Sequence, residues 1–105
     1  MNLSLKTPDF VAIDKVIHER ARLGIMSLLV AAGDLGFVEL KGHLAMTDGN
    51  LSVHLRILEE AGYVDIEKRI VGRKPRTSGR ITRRGRAAFK AYFDVLERIV
   101  RKVKG

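Results

Sequence analysis

The chain of 105 residues has no cysteine, which excludes disulfide frameworks, thiolate metal sites and cysteine nucleophiles and makes a reducing, intracellular setting the natural expectation. It has no run of about 20 apolar residues, and its opening MNLSLKTPDF has neither an apolar signal core nor an Arg-rich transit pattern. The expectation is a cytoplasmic protein with no membrane partner. Repeats, low-complexity tracts and linkers are absent, and the two prolines, Pro8 and Pro75, fall where irregular chain is expected. No phosphate loop, metal-ligand cluster or nucleophile–base spacing is present, and His18, His43 and His54 fall in separate predicted elements. These absences point away from an enzyme, a bound cofactor or a metal site, and toward one domain spanning residues 1–105.

What the chain does have is positive charge, and it is unevenly placed. The formal net charge is +8, of which residues 1–62 contribute −2, residues 63–86 contribute +7 and residues 87–105 contribute +3. A short strongly basic segment on a nearly neutral body is the footprint of a polyanion-binding surface, although it also serves as a solvated face.

Hydrophobic spacing divides the chain into elements. From Asp14 or Glu19 to Ala32, the apolar residues Ile17, Ala21, Ile25, Leu28 and Leu29 recur every three or four positions, which predicts a helix closed by Gly33. Phe37, Leu40 and Leu44 predict a short second helix beginning near Val38, with a residue or two of strand before it. Thr47 and Asp48 are suited to cap a third helix, about 47–61, with Leu51, Leu55 and Leu58 on its core side and Gly62 as its stop.

At Tyr63 the period changes to two. Val64, Ile66 and Ile70 alternate with polar residues, VGRKPR reads as a basic turn, and RTSGRIT is the return arm with Thr77 and Ile81 inward, giving a hairpin over 63–82. Thr82 can cap a last helix from about Arg83, whose apolar stripe through Ala88, Tyr92, Leu96, Ile99 and Val103 is wider than one core contact needs. The fold class expected is mainly α with a small antiparallel β-hairpin, in the order α-(β)-α-α-β-β-α. Residues 83–105 are expected to form a dimerisation helix, with Ile17, Tyr92, Leu96, Ile99 and Val103 between subunits.

Two short helices, a turn and a basic hairpin describe a winged helix-turn-helix. The major groove of B-DNA admits one helix, which must expose short hydrogen-bonding side chains to read base edges. Stepping about 100° per residue away from Leu51, Leu55 and Leu58 directs Gly49, Ser52, Val53 and Arg56 outward. Asn50 in the first turn suits an adenine edge or a phosphate, Ser52 can donate or accept, Val53 suits a thymine methyl, and Arg56 can fork onto guanine or phosphate. His54 lies on the flank, open to a packing role or a DNA contact.

The hairpin tip, with Gly72, Arg73, Lys74, Pro75 and Arg76, concentrates cations on a projection that can reach the backbone or a minor groove. Arg83, Arg84 and Arg86 oppose the dipole of the helix they begin, which calls for nearby phosphates or a carboxylate such as Asp65 or Glu67.

The stretches IDKVIHERARLGIM, FVELKGHLAMTDGNLSVHLRILEEAGYV and GRKPRTSGRITRRGRAAF resemble the winged-helix transcriptional regulators related to the MarR and ArsR groups, over about Asp14 to Leu96. That resemblance implies a dimer built on the first and last helices, recognition by the TDGNLSVHLR helix, and wing contacts from GRKPR. It adds support for Thr47, Asn50, Ser52, Val53, Arg56, Arg73 and Arg76. Without cysteine the thiolate metal site of many ArsR-like sensors is missing, and no signature of a small-molecule effector is readable. The function expected is a sequence-specific regulator that binds double-stranded DNA as a homodimer. The alternative is a winged-helix module for RNA or an acidic protein.

Overall fold

Side-chain caps decide where the helices begin. In the computed structural model, which describes residues 3–105, Glu19, Thr47 and Thr82 each accept a hydrogen bond from a backbone amide three residues on, from Arg22, Asn50 and Gly85 respectively. Each bond satisfies an amide that has no partner inside its helix.

The elements run α1 (Thr7–Val11), α2 (Arg20–Ala32), β1 (Asp34–Gly36), α3 (Phe37–Leu44), α4 (Asp48–Glu60), β2 (Val64–Val71), β3 (Lys74–Ile81) and α5 (Arg83–Lys104). The class is mainly α, as expected, with two differences. The strand before α3 is paired, so the sheet has three antiparallel strands in the order β1-β3-β2. An additional helix, α1, begins around Pro8, because a proline in a first helical turn loses no hydrogen bond. Pro75 is also not irregular but the second residue of β3. Asp14–His18, one of the two starts considered for α2, is irregular, and Glu19 is the true cap.

The core joins all the long elements. Ile25, Met26 and Leu29 of α2, Leu40 of α3, Leu51, Leu55 and Leu58 of α4, Val64 and Ile81 of the sheet, and Tyr92 of α5 form one buried cluster with Ile17. One residue is set by close approach: a methyl at Gly85 would overlap the Tyr63 carbonyl oxygen and crowd the Ile81 side chain, so α5 crosses the root of β2 where only glycine fits. Beside it, Thr82 Oγ1 donates to the Gly62 carbonyl at 2.7 Å, and Tyr63 donates to Asp14 at 2.5 Å. Partial burial, then that bond to a carboxylate, pushes the Tyr63 phenol up to about 12.

The molecule is long, 64 × 25 × 21 Å, with a radius of gyration of 16.3 Å against about 13 Å for a compact chain of this length. Two elements outrun the core: the β2–β3 ribbon, exposed from Lys68 to Arg76, and α5, about 33 Å long at 1.5 Å per residue and exposed from Val100 on. There Lys102 pairs with Asp9 of α1 at 2.8 Å, holding the Asp9 carboxyl below its usual range.

α5 carries two apolar stripes about a quarter turn apart. Ala88, Phe89, Tyr92, Val95 and Leu96 are buried in the chain or packed against its own core side, whereas Phe93, Val100 and Val103 form the second stripe and are exposed, with Ile99 half-buried. This corrects two expectations. Ile17 is 0% and Tyr92 3% exposed within the single chain, and Tyr92 is further held by a 2.7 Å bond to His18 Nδ1, so neither has surface to give a second subunit. Among the described residues no helix is long and apolar enough to cross a membrane.

Candidate nucleic-acid interface

The third predicted helix is α4, and its outer side is as the spacing requires. Leu51, Leu55 and Leu58 are buried, while Gly49, Asn50, Ser52, Val53 and Arg56 are exposed, Val53 by 58%. Thr47 is committed: its Oγ1 accepts from the Asn50 amide at 3.2 Å and so fixes the first turn. A Cβ at Gly49 would meet nothing within 4 Å, so nothing in the chain itself calls for glycine there.

His54 takes the packing role of its two readings. Its Nδ1 accepts from Arg22 Nη1 at 3.1 Å and lies 3.6 Å from Glu19. Partial burial acts against the charge on Glu19, but amides of Arg22 and Ala21 outweigh it and hold the carboxyl below its usual range. This knot ties α4 to the cap of α2. His18 is bonded to Tyr92 and His43 is exposed on α3, so the three histidines are not brought together.

The ribbon's turn is tighter than expected. Val71 pairs with Lys74, leaving only Gly72 and Arg73 between strands, with φ of 55° and 69°. Positive φ at both residues is the two-residue hairpin geometry that matches strand twist. It places Lys74, Pro75 and Arg76 in β3 rather than in a loop, and it holds the Arg73 backbone in a conformation that ordinarily favours glycine or asparagine.

Strand alternation gives the ribbon two faces. Ile66, Lys68 and Ile70 of β2, with Pro75, Thr77 and Gly79 of β3, continue the inner face set by Val64 and Ile81. The outer face carries Asp65, Glu67, Arg69 and Val71 of β2 with Lys74, Arg76, Ser78 and Arg80 of β3. The expectation that Ile70 packs inward fails only because the strand outruns the core: it lies on the inner face but is 73% exposed.

The outer face is electrostatically closed at two of its arginines. Arg69 pairs with Glu67 at 2.6 Å, Arg76 with Glu39 of α3 at 2.8 Å, and Arg80 stands in register between Asp34 and Asp65. The inner face is open. Ser52, Leu55, Arg56 and Glu59 of α4 line a cleft of about 500 Å³ together with Phe37, Ile66, Lys68 and Thr77. Among the described residues, Arg56 and Lys68 beside the cleft, Arg73 and Lys74 at the tip and Arg80 on the outer face form no salt bridge. Arg76, expected as a wing contact, is held by Glu39, which lies 37 residues away and beyond any local pattern.

At the start of α5, neither Asp65 nor Glu67 pairs with the arginines. Arg86 donates to the Val30 carbonyl at the end of α2 at 3.3 Å, a favourable place for a cation, and Arg84 lies over Gly62. Arg83 is exposed and has no carboxylate partner among the described residues.

Residues 21–100 match the family model of the winged helix DNA-binding domain. The uncharacterized protein MJ0432 of Methanocaldococcus jannaschii is 38% identical over 84 residues, 79% of this chain and 91% of that protein. A solved transcriptional regulator homologue from Pyrococcus horikoshii is 31% identical, with a TM-score of 0.85 over 92% of this chain and 98% of that one. A protein from Enterococcus faecalis assigned to the MarR family of transcriptional regulators shares the fold at 22% identity, with a TM-score of 0.74 over 98% and 94% of the two chains.

Proposed function

Because this chain belongs to the winged helix DNA-binding domain family, we propose that it is a cytoplasmic transcriptional regulator that binds double-stranded DNA sequence-specifically as a homodimer. Helix α4 enters the major groove with Asn50, Ser52, Val53 and Arg56 toward the base edges. The ribbon lies on the backbone or adjacent minor groove through Arg73 and Lys74, and Arg83 adds a phosphate contact.

One observation carries this reading: α4 and the ribbon line the same cleft, with Ser52 and Arg56 on one wall and Lys68 and Thr77 on the other. A rigid duplex can touch both at once only if they share a side. Of the unpartnered cations, Arg56 and Lys68 lie on that side and Arg73 and Lys74 at the tip, where they release condensed counterions on binding.

The subunit contact in this reading is the second stripe of α5, centred on Phe93, Val100 and Val103, with Ile99 and Leu96 at its margin. Phe10 and Val11 of α1, the helix tied to α5 by the Lys102–Asp9 pair, are exposed as well. Two copies joined there present two α4 helices, to be matched by half-sites about 34 Å apart.

The test is titration of labelled duplex across salt concentrations, with sedimentation of Val100→Glu alongside. Affinity is expected to fall roughly 10³ to 10⁵-fold between about 50 and 200 mM salt for six to ten phosphate contacts, and the variant to sediment as a monomer. A flat salt response overturns duplex binding; a dimeric variant overturns the placement of the contact.

A further inference from the structure

The end of the ribbon carries aliphatic surface among its charges. Ile70 is 73% and Val71 52% exposed, and neither touches the core cluster. They point to opposite faces, so they are two separate features.

Hairpin geometry fixes the surroundings of Ile70. With a two-residue turn, Val71 and Lys74 form the hydrogen-bonded closing pair, which makes Ile70 and Pro75 the next, non-hydrogen-bonded pair. Side chains of such pairs stand closest together, and the missing N–H of Pro75 falls on the outer edge, where β1 does not reach because it pairs only with Ser78–Arg80. Ile70 and Pro75 therefore form one apolar ridge on the inner face. It continues the cleft wall of Ile66 and Lys68 outward and ends beside the unpartnered Arg73.

Resting on the duplex-binding reading above, we infer that the Ile70–Pro75 ridge enters the minor groove of the bound DNA and packs on its sugar and base edges. Cations placed on both sides, Lys68 behind and Arg73 ahead, match a strip of apolar floor between two rows of phosphates. Aliphatic and proline side chains are those that wedge against base steps from this groove. The ridge then supplies affinity through burial, whereas Arg73 supplies it through charge, and the two are separable by their response to salt.

The experiment compares Ile70→Thr, which keeps a β-branched strand residue at an exposed position, with Val71→Thr on the opposite face. Both are first shown to melt as the parent does. Ile70→Thr is expected to bind duplex about tenfold more weakly, as for the loss of one or two buried methyl-sized groups, with an unchanged salt slope. Val71→Thr is expected to bind as the parent does. Filling the minor groove beforehand with a distamycin-type polyamide should remove the difference between Ile70→Thr and parent.

Equal affinities, equal losses in both variants, a changed salt slope, or a difference that survives the polyamide each overturn the ridge while leaving duplex binding in place. A parent protein that does not bind duplex at all overturns both.

Discussion

The two faces of the β2–β3 ribbon differ in a way that a count of charges misreads. The outer face is richer in arginine, with Arg69, Arg76 and Arg80, yet Glu67 and Glu39 pair with the first two and Asp34 and Asp65 flank the third in register. The inner face has only Lys68, but with Arg56 across the cleft and Arg73 at the tip it is the side without carboxylate partners, Glu59 apart. A cation already held by a carboxylate gains little from a phosphate, because it exchanges one anion for another. What identifies a polyanion surface is therefore the charge left unpaired on one side.

Four substitutions probe that contrast, in order of decreasing effect. Arg56→Ala, on the open side, is expected to cost about 1 to 3 kcal/mol of binding and to relax preference at one base position, read by comparing affinities across a panel of duplexes. A uniform loss over the panel would make Arg56 a phosphate contact.

At the tip, Arg73→Asn keeps a residue that tolerates the left-handed backbone, which alanine would not do as well. It is expected to weaken binding to every duplex and to reduce the salt slope by about one. An unchanged slope would remove Arg73 from the phosphate contacts.

On the closed side the sign reverses. Glu39→Gln releases Arg76, so the salt slope should steepen by less than about one unit and non-specific affinity should rise a few-fold. If both fall instead, the pair matters for holding the ribbon in place rather than for masking charge. Arg69→Gln breaks an exposed pair of about 0 to 1 kcal/mol and should leave both stability and the salt slope within error, checked by thermal melts and titration. A slope lowered as in Arg73→Asn would erase the distinction between the faces.

Much of this arrangement is legible before folding. Leu51, Leu55 and Leu58 set the orientation of α4, and with it the exposure of Asn50, Ser52, Val53 and Arg56, because a helix turns by a constant angle. The change of period at Tyr63 marks the ribbon for the same reason. What local pattern does not carry is partnership across the chain: the Arg76–Glu39 pair and the contact of Gly85 with Tyr63 depend on tertiary approach. The α5 stripe shows the same limit, since Tyr92 and Val103 belong to one apolar band by spacing, and only packing buries the first and leaves the second exposed.

The contact at Gly85 has a mechanical meaning. With no side chain between them, the start of α5 and the Tyr63 backbone sit flush, and the Gly62–Thr82 bond fastens the joint on its other side. A tilt of α5 is therefore expected to carry the root of the ribbon with it, since no side chain lies between them to absorb the movement.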